Sequence, residues 1–141
     1  MKTLVLPAMP LAVQSIFEGY PKAAQAKLQT LRQMIFEEAV RLDVGALQET
    51  LKWGEPAYLT PKSKAGSTIR MAWNKKRPNA CGLFFNCNTD LVQRMSATFP
   101  SEFQYVGNRE VVMPLEVEIP GFPARALISM ALTYHRDRAE R

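Results

Sequence analysis

The stretch Glu49-Thr50-Leu51-Lys52-Trp53-Gly54-Glu55-Pro56-Ala57-Tyr58 is where residue types able to engage a ligand are most closely grouped. Read as a short helix over Ala46 to Trp53, it sets Glu49 three residues before Lys52 and one helical turn before Trp53. An acid, a base and an indole then share one helix end. Gly54 lets the chain turn sharply there, and Pro56 forces an extended exit toward Tyr58. An indole beside a charged pair can line a cleft and stack on a flat or cationic group. The competing reading has Trp53 sealing the junction between helix and sheet. Downstream, Lys64 sits in a Lys-Ala-Gly-Ser loop and Arg70 on the polar parity of a strand, two cations able to receive an anion. The candidate ligand-binding residues are therefore Glu49, Lys52, Trp53, Tyr58, Lys64 and Arg70. A small organic molecule or a short peptide is the expected occupant.

Other chemistries find less material. Nucleophilic catalysis needs a base beside the nucleophile, and the only imidazole, His135, is flanked by Arg136, Asp137 and Arg138 with no triad signature around it. No Walker A loop and no GxGxxG turn is present, and Cys and His show no metal-ligand spacing. Glu37 and Glu38 are adjacent on a helix and point about 100° apart, a poor chelating geometry; Glu116 and Glu118 share one face of a strand-like stretch. No catalytic residue, cofactor or resident metal is expected. The chain carries 18 Lys and Arg against 13 Asp and Glu, a net charge of +5. Between Pro56 and Thr89 lie six bases (Lys62, Lys64, Arg70, Lys75, Lys76, Arg77) and no acid, so the imbalance is local. Such a segment either attracts nucleic acid or an acidic partner or solubilises a strand edge.

These residues need elements to hold them. At 141 residues, 47% hydrophobic and 22% charged, the chain can bury one core and has no composition for disorder. No apolar run approaches the roughly 18 residues of a membrane span. Residues 1–10 read as an irregular arm whose Pro7 and Pro10 interrupt any signal-like stretch, and residues 11–138 as a single domain. A short helix from Leu11 ends at Gly19. Leu28, Leu31, Ile35, Ala39 and Leu42 then form the apolar stripe of a long helix. Ser67, Ile69, Met71 and Trp73 alternate with polar residues, Lys75 to Asn79 turn, and Cys81, Leu83, Phe85 and Cys87 form a second apolar parity. Together they predict a hairpin. Within one strand the two cysteines stand about 20 Å apart and cannot pair, and reduced thiols suit the cytoplasm. A helix from Leu91 to Phe99, a strand pair around Gly107-Asn108 and a last helix after Gly121 complete the order. It predicts an α+β fold with a mainly antiparallel sheet of about four to five strands packed against helices. Hydrophobic strand edges leave room for a homodimer.

The order of Phe17-Glu18-Gly19-Tyr20-Pro21, Leu31-Arg32-Gln33-Met34-Ile35 and Leu51-Lys52-Trp53-Gly54-Glu55-Pro56-Ala57-Tyr58 resembles the YdhG-like family (domain of unknown function 1801). The likeness runs from about Leu11 to about His135, and its Trp-Gly-x-Pro-x-Tyr element is the most specific part. It implies a small bacterial cytosolic α+β domain with an antiparallel sheet covered by helices. Some relatives are regarded as frataxin-like iron chaperones, which rely on acidic surface. This basic chain has no acidic run. The leading expectation is a non-enzymatic binding module with a cleft near Trp53. A frataxin-like iron-binding role and nucleic-acid or acidic-partner binding through residues 62–77 are the alternatives.

Overall fold

Apolar residues at spacings of three and four lay down the surface on which the sheet packs. In the computed structural model, which describes residues 4–139, α1 spans Leu11–Glu18 and α2 spans Lys22–Arg41. Leu28, Leu31, Ile35 and Ala39 of α2 are all buried, the one-sided stripe of an amphipathic helix. α3 spans Leu91–Thr98, α4 spans Gly121–Leu132 and α5 spans Tyr134–Ala139. Of the N-terminal arm, Leu4, Leu6 and Met9 pack against the core, while residues 1–3 lie outside the described residues.

The strands are β1 (Gln48–Lys52), β2 (Glu55–Leu59), β3 (Ile69–Trp73), β4 (Ala80–Phe84), β5 (Gln104–Val106) and β6 (Glu110–Pro114). They form one antiparallel sheet in the order β1-β2-β3-β4-β6-β5. The fold is α+β, with six strands where four or five were expected. The additional pairing comes from residues 48–59, where the expected helix over Ala46 to Trp53 is instead β1, paired along its whole length with β2. Pro56 is tolerated for a geometric reason. Lys52↔Glu55 closes the two-residue turn, which makes Leu51↔Pro56 a non-hydrogen-bonded pair. The proline nitrogen then faces away from β1, toward β3, whose pairing with β2 covers only Ala57↔Arg70 and Tyr58↔Ile69. A second correction concerns β4, which stops at Phe84, so Cys87 lies in the following turn rather than in the strand.

Alternation then sorts the two sheet faces. Ile69, Met71, Cys81, Leu83, Val111 and Met113 point into the core with Leu28, Leu31, Leu127 and Ile128 of the helices. The other face carries Ala57, Arg70, Phe84 and Glu110 in one cross-strand row, and Ala72, Gly82 and Val112 in the next. The β2–β3 loop is tied to the α4–α5 junction: Ser67 N–H donates to Ala131 O (2.8 Å) and His135 N–H to Ala65 O (2.8 Å). At Gly66 a side-chain carbon would stand 2.7 Å from Leu132 O, so the loop fits there only without one. Among the described residues no helix is long and apolar enough to cross a membrane.

Candidate functional site

The centre of the outer face is built of small residues, Ala57, Ala72 and Gly82, all of them buried. Gly82 is bare for a reason: the Glu110 carboxylate lies over it and fills the space a side chain would need. Arg77, brought back by the β3–β4 turn, forms an ion pair with that carboxylate. A cavity of about 640 Å³ also lies on this side of the sheet. Lys52 and Trp53 border it at the β1–β2 hairpin, Thr68 and Arg70 along β3, and Phe85, Asn86 and Cys87 where the chain leaves β4. Arg109 completes the wall, placed beside the end of β4 by a hydrogen bond from Phe85 N–H to its carbonyl oxygen (2.7 Å). Three cations line the cavity and no carboxylate does.

Trp53 owes its position to a turn that does not suit it. Trp53 and Gly54 have φ of 56° and 74°, the paired positive values of a type I′ hairpin turn, which ordinarily selects Asn-Gly. A bulky side chain in the left-handed region costs on the order of 1–2 kcal/mol. Burial offsets none of this, because Trp53 is 91% exposed. Strain of this kind, held without a packing return, is characteristic of binding and switch positions.

Arg70 sits deeper. Its guanidinium stands 5.6 Å from the Phe84 ring centroid and forms an ion pair with Glu55 through Nη1. Burial raises the Glu55 carboxyl above the usual carboxylate range, the Arg70 cation works against this, and the negative charge of Glu110 adds to it.

The expected site residues divide. Lys52, Trp53 and Arg70 meet at the cavity. Glu49 and Tyr58 pair across β1 and β2 on the helix side, where Arg32 bonds Glu49 through Nε (2.6 Å) and Nη2 (2.9 Å) and Tyr58 donates to Glu49 Oε2 (2.8 Å). Tyr58 is fully buried edge-on to Phe36, and burial, then the Glu49 charge, push its hydroxyl up. Both residues hold the hairpin to α2 and neither reaches the cavity. Lys64 lies elsewhere too, at a smaller hollow of about 300 Å³ with Asp43, Ser63, His135 and Arg136. Arg109, Thr68, Asn86 and Cys87 were not anticipated. Arg109 stands in the turn before β6, where the sequence predicts a strand beginning, and Cys87 in the turn after β4, where it predicts the strand continuing.

Of the acidic candidates, Glu116 and Glu118 lie in the irregular stretch after β6 rather than on a strand, and Glu37 and Glu38 are engaged in ion pairs. Glu37 accepts from Arg125 (2.7 Å), which holds its carboxyl below the usual range; Glu38 accepts from Arg41 (2.7 Å) and Ser129 (3.2 Å). Among the described residues no three His, Cys, Asp or Glu side chains are placed to share a metal ion. The basic segment is spread over both ends of β3. Lys62 and Lys64 precede β3 and Lys75 and Lys76 follow it, separated by roughly 17 Å of strand, while Arg70 and Arg77 are paired. The chain matches no known family model, no curated protein and no solved structure.

Proposed function

We propose that this protein is a non-enzymatic binding module for a small organic anion bearing a flat ring, held in the cavity beside Trp53. The observation that carries the reading is the lining itself: Lys52, Arg70 and Arg109 converge with an exposed indole around about 640 Å³, with no acid among them. That volume lies within the range of small-molecule sites. Cations along a low-dielectric wall favour an anionic guest, and an indole face supplies a stacking surface. The YdhG-like assignment and a cytoplasmic setting belong to the same proposal. The first draws on the Trp-Gly-x-Pro-x-Tyr element, whose Trp and Gly form the turn at the cavity rim.

The test is a calorimetric titration with three ligands of one shape: 2-naphthoate, neutral 2-naphthamide and cationic 2-naphthamidine. Naphthoate is expected to bind at least about tenfold more tightly than the amide, as one charge-assisted hydrogen bond would supply, with no heat from the amidine. Equal affinities across the series, or a preference for the cation, would overturn the reading.

A further inference from the structure

We infer that the ligand's anionic group is a carboxylate, received by the free edge of the Arg70 guanidinium. The inference rests on the binding reading above and narrows it to one chemical class.

A guanidinium has five N–H donors in a planar fork. Among the described residues, Arg70 spends one nitrogen, Nη1, on Glu55, and its Nε and Nη2 have no protein acceptor. The residue borders the cavity and 20% of its side chain is exposed, so a guest can reach it there. Two contacts orient it: Glu55 holds one end and the Phe84 ring centroid lies 5.6 Å from the guanidinium carbon. A planar pair of parallel donors, held from behind and open in front, matches the two oxygens of a carboxylate.

Charge selects the carboxylate over a phosphate monoester. Glu55 already neutralises much of Arg70, so a singly charged guest is the better match for the fork. No helix begins at the cavity wall, so the aligned N–H groups that commonly cradle phosphate are missing from its lining. Lys52 and Arg109 supply attraction without a fixed plane, and Trp53 takes the ring.

The experiment compares 2-naphthoate with 2-naphthyl phosphate by calorimetry at pH 8, where the phosphate is a dianion. The wild-type protein is expected to bind the carboxylate at least about fivefold more tightly. Arg70→Lys keeps the charge and removes the fork, so carboxylate affinity should fall about tenfold or more, with circular dichroism confirming the fold. Glu55→Gln keeps a hydrogen-bond acceptor and removes the charge, and should narrow the gap by strengthening phosphate binding. Phosphate binding as tightly as carboxylate to the wild type, or a folded Arg70→Lys that binds carboxylate unchanged, overturns the inference and leaves the anion-binding reading standing. Failure of both ligands to bind the wild type removes both. The wild-type comparison requires no variant, so it decides even if a substitution fails to fold.

Discussion

Trp53 shows at a single residue how a costly conformation can be retained. Its φ of 56° is one that Asn adopts readily and Trp does not. Trp53→Asn restores the preferred Asn-Gly pair of this turn, so the variant should be more stable by about 1 kcal/mol, read from the urea unfolding midpoint. The same variant should lose most of its affinity for 2-naphthoate, since the stacking surface is gone. A loss of stability instead would show that the indole contributes packing that its exposure conceals. Lys52 and Arg70 flank this residue by virtue of strand parity, which the sequence displayed plainly for Arg70 against Ile69 and Met71. The positive φ at Trp53 had no such signal, since Trp-Gly does not announce a type I′ turn.

At the level of elements, β1 explains both the misreading of residues 46–53 and the place of Glu49. A strand reveals itself by apolar residues at alternate positions, and in β1 the inward positions are Glu49 and Leu51. Because the first is an acid serving the buried Arg32, alternation is hidden and the Glu49–Trp53 spacing resembles a helical turn. The long helix, the β3–β4 hairpin and the α+β class were legible because their inward residues are apolar. The Arg32–Glu49–Tyr58 cluster was not, because charge in a core is invisible until its partner is known. Both members of the ion pair are 5% exposed. Removing one partner of such a pair typically costs about 3–5 kcal/mol. Glu49→Gln should therefore lower unfolding free energy by about that amount in urea denaturation, a large share of the roughly 5–15 kcal/mol of an ordinary domain. Replacing all three together, as Arg32→Met, Glu49→Leu and Tyr58→Phe, should recover most of the loss, because no charge is then left unpaired.

The whole molecule has two unlike sides, one covered by helices and one carrying the cavity, and its two cysteines report on each. Cys81 is fully buried between sheet and helices, and burial pushes its thiol up to about 11. Cys87 is partly exposed at the cavity wall. At pH 8 a thiol reagent such as Ellman's should modify Cys87 alone in the native protein and both cysteines after unfolding. Rapid reaction of both in the native state would contradict this division. Bound naphthoate should slow the reaction at Cys87 without affecting Cys81. The bare backbone at Gly82 carries a consequence of its own. With Glu110 and Arg77 locked over it, that part of the outer surface is spoken for, and the remaining freedom lies in Lys52, Thr68, Asn86 and Arg109. Changes of guest preference, natural or engineered, can accumulate at those four positions while the helix-side interior stays as it is.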